Sequence, residues 1–134
     1  MSEHIFADSS GFFAAFAGND AHHRATVNAL SAGFTLVTKR VVVFETISLI
    51  TKRLSPFYAR AWYQRLVKDA HVVVHEIELP VLRDAERFWL KHRDKTWDLI
   101  DCYSFSLMRH EKLTRAFTLD QHFRQAGFTT LPTP

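Results

Sequence analysis

The chain has 134 residues, 47% hydrophobic and 23% charged, with four glycines and four prolines; this balance excludes disordered, collagen-like and low-complexity chains and suits a single domain over residues 1–134. A lone cysteine, Cys102, excludes an intrachain disulfide framework and favours a reducing compartment; Glu45 breaks the strongest apolar run, so no membrane span is expected, and the Met-Ser-Glu-His start lacks a signal peptide's positive charge. A cytoplasmic protein is expected, and 17 Lys+Arg against 14 Asp+Glu, net +3, permits RNA or an acidic partner without demanding either.

In chain order, His4-Ile5-Phe6-Ala7-Asp8 is a short apolar run ending in an acid, and Ser9-Ser10 offer caps for a helix through Phe12, Phe13 and Phe16. Gly18-Asn19-Asp20 turns the chain into an amphipathic helix with Ala25, Val27 and Leu30 that stops near Gly33. Phe34 to Thr38 reads as a second strand, and Arg40 to Arg53 is helical in length. Ser55-Pro56 supplies an N-cap and an N1 proline for a helix ending near Asp69, and Val72-Val73-Val74 reads as a buried third strand. Leu79-Pro80 opens a helix to about Arg93, and Asp98 opens another to about Lys112. Ala116 to Leu119 is a fourth strand ending at Asp120; Phe123 and Gln125 fall in a short helix closed by Gly127, and Phe128 to Leu131 make a last edge strand. The alternation implies an α/β fold with a mainly parallel four- to five-stranded sheet and helices on both faces.

Ligands of such sheets gather at the carboxyl ends of the strands. Asp8 and Asp120 follow two strands directly, which puts them on the same rim. Glu45 sits in Val41-Val42-Val43-Phe44-Glu45-Thr46-Ile47, a helix apolar on most sides, where a carboxylate needs a cation partner, either a basic side chain or a metal. In Trp97-Asp98-Leu99-Ile100-Asp101-Cys102, Asp98 suits the N-cap and Asp101 falls at N3, where a capping box is one reading. Convergence of Asp8, Glu45, Asp101 and Asp120 would require multivalent cations, and hard oxygen donors with no His or Cys in step suit Mg²⁺ or Mn²⁺.

These positions carry a resemblance. Phe-Ala-Asp-Ser-Ser at the N-terminus, Phe-Glu-Thr around Glu45, Asp-Leu-Ile-Asp-Cys-Tyr-Ser-Phe, and Ala-Phe-Thr-Leu-Asp-Gln-His-Phe-Arg-Gln-Ala-Gly-Phe at 116–128 together resemble the PIN-domain ribonucleases over nearly the whole chain. Within them the chain is similar to the small stand-alone VapC-type toxin of a bacterial toxin–antitoxin pair. The resemblance implies a three-layer α/β/α sandwich, a divalent-metal-dependent endoribonuclease acting on RNA, a homodimer and a cognate antitoxin. It assigns Asp8, Glu45, Asp101 and Asp120 to the family's acidic quartet and Thr118 to a small hydroxyl residue beside it. Asp98 stands where Ser or Thr is common, so the number of metal ions and the choice between cap and ligand at Asp98 stay open. Lys39 and Arg40, just before the Glu45 helix, are candidates to hold the RNA backbone.

Other signals have plainer readings. His71-x₃-His75 has zinc spacing only on a helix, and across a strand the rings are separated by ~13 Å. His22-His23 suit an exposed helix, Ser9 and Ser10 suit capping better than nucleophilic attack, and Cys102 suits the core. Trp62, Tyr63, Phe88 and Trp89 suit core or dimer surface; Tyr58 and Trp62 in particular read as exposed aromatics of an interface. Two rival functions remain: a PIN-like binding module without cleavage, and an acidic-pocket phosphatase or receiver domain. The latter lacks an Asp-x-Asp pair, since Ser9-Ser10 follow Asp8.

Overall fold

A computed structural model describes residues 2–134. The elements run β1 (His4–Ala7), α1 (Ser9–Phe16), α2 (His23–Leu30), β2 (Thr35–Lys39), α3 (Arg40–Arg53), α4 (Pro56–Leu66), β3 (Val72–His75), α5 (Leu79–Lys91), α6 (Leu99–His110), β4 (Arg115–Phe117), α7 (His122–Gln125) and β5 (Thr129–Leu131). The strands form one sheet in the order β3-β2-β1-β4-β5, every pair parallel, with Phe6 level with Val37 on one side and Ala116 on the other.

The all-parallel pairing follows from the helical crossovers, because parallel neighbours cannot be joined by a tight turn. Successive strand residues point to opposite faces, and Ile5, Phe6 and Ala7 are all fully buried, so both faces of β1 are covered. The helices form two packed groups: α1 touches α2 and α3, α3 touches α4, and α5 pairs with α6. Phe123 stacks on Phe6 at 5.8 Å and meets Phe105 edge-on at 5.2 Å, which ties α7 to the sheet centre and to α6.

Local chemistry explains the boundaries. Ser55 Oγ accepts from Tyr58 N–H at 3.2 Å and Pro56 fills the first helical position, so α4 starts where capping chemistry requires. α3 spans the expected Arg40 to Arg53 and follows β2 without a loop. Gly11 lies where α1 crosses β4: a Cβ there would fall 2.5 Å from the Phe117 carbonyl oxygen, so only glycine permits the approach.

Four expectations are corrected. Val72–Val74 is not a buried strand, because β3 is the sheet edge and Val73 is 41% exposed. Trp62 is not exposed; it is buried edge-on against Phe12 at 5.5 Å, while Tyr58 on the same helix is 51% exposed. Ser9 and Ser10 do not cap α1, whose N-cap is Asp8 with no side-chain cap bond. β4 ends at Phe117, so Thr118 and Leu119 belong to the turn that carries Asp120.

Candidate active site

β1 has β2 on one side and β4 on the other, so the strand order reverses beside it and a crevice opens at the carboxyl ends. The Asp8 N–H donates to Phe117 O at 3.0 Å, which carries the β1–β4 pairing to the rim. The Thr118 hydroxyl donates to Asp8 Oδ2 at 3.2 Å and accepts from the Asp120 N–H at 3.0 Å, so one side chain sets both acids. Ser10 Oγ stands 3.1 Å from Thr118 Oγ1 and 3.4 Å from Asp8 Oδ2 and accepts from the Leu119 N–H at 3.0 Å, which locks α1 to the turn after β4.

The third acid arrives on α6. Asp98 Oδ1 accepts from the Asp101 N–H at 2.7 Å and Asp101 Oδ2 accepts from the Asp98 N–H at 3.3 Å, a reciprocal capping box. The capping-box reading of Asp101 holds, and the same Oδ2 lies 3.0 Å from His122 Nδ1. His122 Nδ1 is also 3.5 Å from Asp120 Oδ1, an oxygen that accepts from the His122 N–H at 2.9 Å. The α7 segment holding this histidine is fixed below by Phe123 and beside by Gln125, whose side-chain oxygen accepts from Trp97 Nε1–H at 3.1 Å.

Glu45 projects from α3 and lines a groove with Ser9, Phe44, Ser48 and Lys52. Burial first, then the negative charge of Asp8, pushes its pKa up to about 7, with Lys39 pulling the other way. Asp8 is pushed up to about 6, mainly by burial, against hydrogen bonds from the Ser9 backbone and Thr118. Asp101 is raised by burial and then by Asp98. Lys39 is 2% exposed, its pKa held down at about 8 by burial, and its ammonium donates to Ile100 O at 2.6 Å, 5.0 Å from the Tyr103 ring centre. It is therefore an internal strap between the start of α3 and the first turn of α6. Arg40 is paired through two bonds with Glu76 at 3.1 and 2.7 Å.

Asp101, Asp120 and His122 each offer a ligand atom within 4.8 Å of the other two, the one such group of three among the described residues. Asp8 joins through Thr118 and through the mutual repulsion that raises it; Glu45 is coupled chiefly to Asp8 and stands outside the group of three. The donor set fits a divalent cation: three carboxylates crowd one rim, each destabilised or tethered rather than neutralised by a lysine or arginine. The expectation that no histidine keeps step with the acids is corrected by His122. The signal for it lay in Asp120-Gln-His122, where a residue two beyond a strand-end acid returns to the same rim once a short helix follows. Ser10 was likewise missed as a rim residue.

The chain is thus a parallel α/β domain whose carboxylates gather where the strand order reverses. The chain belongs to the PIN domain family, which matches residues 5–129. Among solved structures it is similar to VapC20 from Mycobacterium tuberculosis, described as a sarcin–ricin-loop-cleaving toxin, at 24% identity over 93% of this chain and 96% of that one, TM-score 0.86. FitAcB from Neisseria gonorrhoeae is similar at 14% identity over 94% of this chain and 95% of that one, TM-score 0.67. No curated protein matches the chain in sequence. Among the described residues no helix is long and apolar enough to cross a membrane.

Proposed function

We propose that this PIN domain is a Mg²⁺- or Mn²⁺-dependent endoribonuclease and the toxin of a toxin–antitoxin pair. The observation that carries the reading is the crowding of Asp8, Asp101 and Asp120 around Thr118 and His122, an arrangement of like charges that calls for a divalent cation. Asp8, Asp101 and Asp120, with Glu45 at the edge, would hold the ion. When bound, the cation would neutralise phosphate charge and lower the pKa of a coordinated water. Thr118 and Ser10 keep Asp8 and the Asp120 turn in register, and Lys39 fixes α6 relative to α3. Of the two cations expected to hold RNA, Arg40 is committed to Glu76 and Lys39 to Ile100 O, so Lys52, exposed on the groove beside Glu45 and Phe44, takes the phosphate-contacting role in this reading.

The likeness to a toxin that cleaves an RNA loop supports RNA as substrate. A homodimer and a small antitoxin partner are supported by α4, where Phe57 is 72% and Tyr58 51% exposed. The test is cleavage of RNA by the purified chain. Cleavage that stops in EDTA, resumes with Mg²⁺ or Mn²⁺ and leaves a 5′-phosphate and a 3′-hydroxyl is expected, because His122 is bound between two acids and no second histidine joins it, among the described residues, to activate the ribose hydroxyl. Metal-independent cleavage leaving a cyclic phosphate would refute the proposal.

A further inference from the structure

We infer that His122 is a nitrogen ligand of the bound cation, so that the site is built for a transition ion such as Mn²⁺ in preference to Mg²⁺; this rests on the metal-dependent reading above. His122 Nδ1 lies 3.0 Å from Asp101 Oδ2 and 3.5 Å from Asp120 Oδ1. Neighbouring donors on an octahedral ion with ~2.1 Å bonds are ~3.0 Å apart; the Asp101–His122 separation matches this, and the ligand atoms of all three residues lie within 4.8 Å of one another. All three side chains retain some exposure, 22% for His122, 19% for Asp101 and 33% for Asp120, which leaves an ion a way in.

The other ring nitrogen supports the same role. Nε2 lies 3.3 Å from Thr96 Oγ1. A ring protonated at Nε2 donates there and presents the Nδ1 lone pair to the acids, the device by which ligating histidines are usually oriented. Nδ1–H otherwise donates to Asp101 Oδ2, so a cation would replace that proton between the ring and the carboxylate. Phe123, fully buried against Phe6 and Phe105, anchors the backbone that carries the ring. Imidazole nitrogen suits first-row transition ions better than Mg²⁺, which prefers oxygen and water.

The test is a Mn²⁺ titration of the full chain followed by electron paramagnetic resonance, with spin-echo detection of nitrogen coupling to the bound ion. Wild type is expected to show imidazole nitrogen coupling. His122→Asn should lose it, bind Mn²⁺ roughly tenfold or more weakly, and show a smaller Mn²⁺-over-Mg²⁺ preference. Bound Mn²⁺ in wild type without nitrogen coupling would overturn the inference with no need for any variant to fold. Asp101→Asn separates the two readings. Loss of Mn²⁺ in Asp101→Asn with unchanged binding in His122→Asn removes only the role of His122; Asp101→Asn binding as wild type does removes the metal site itself.

Discussion

Asp8 and Glu45 are carboxyls that the fold makes reluctant to ionise, with pKa values lifted to about 6 and about 7, chiefly by burial. In the unfolded chain both titrate near the ordinary carboxyl value, so between about pH 4 and pH 7 the folded state binds more protons and stability falls as pH rises. The stabilising share of these groups is complete below pH 4 and is lost through pH 6–7. Asp8→Asn removes one of them with little change of shape. In EDTA its melting temperature should therefore exceed that of wild type by several degrees at pH 7.5 and by little at pH 4, measured by calorimetry. RNA cleavage should fall more than roughly a hundredfold. An advantage that stays constant with pH would show that Asp8 is already balanced in the metal-free protein. At this scale Asp8 and Asp120 were legible, because an acid at the end of an apolar strand has few structural uses. His122 was harder to read: Asp120-Gln-His122 carries a signal only once the short helix after it, pinned by Phe123, is seen to turn the ring back over the rim.

The N-terminus of α6 shows how one element serves stability and site together. The Asp98–Asp101 box satisfies two backbone N–H groups that would otherwise lack partners, and the Asp101 Oδ2 that accepts the Asp98 N–H also faces His122. Asp98→Ser keeps an N-cap oxygen and should retain stability and metal affinity, whereas Asp98→Ala should cost about 0.5–2 kcal/mol in denaturant unfolding. A large fall in metal affinity for Asp98→Ser at unchanged stability would make Asp98 a ligand rather than a cap. Elements whose ends carry such chemistry were readable from the chain: α4 after Ser55-Pro56 and α6 after Asp98. Where no local device acts, the pattern misled. Three consecutive valines look the same in a central strand and in β3, which the order of the sheet places at its edge, and Trp62 is covered only because Phe12 comes from a distant helix.

Over the whole molecule, α1 must approach β4 closely enough for Ser10 to reach Leu119 and Thr118, and Gly11 permits it. Gly11→Ala forces a methyl group against the Phe117 carbonyl and ring, so α1 and β4 must separate. The expected cost is about 1–3 kcal/mol of stability. The separation also loosens the Ser10, Thr118 and Asp8 contacts, so metal affinity measured by thermal shift should fall along with the melting temperature. Unchanged affinity in a destabilised Gly11→Ala chain would show that the rim is set by the turn after β4 alone.

The placing of β1 between β2 and β4 also fixes when the site can exist during translation. Phe6 is made near the beginning and its partner Ala116 near the end of the described residues. At ~5–20 residues per second the interval is on the order of 10 s, throughout which one flank of the nascent β1 has no strand beside it. The Thr118–Asp120 turn is absent for the same interval, so the acids first meet only once Asp120 has been added. Under the proposed function the chain is harmless until Asp120 has been added, and a message cut or stalled before the Asp120 codon yields a product that cannot attack the RNA around it.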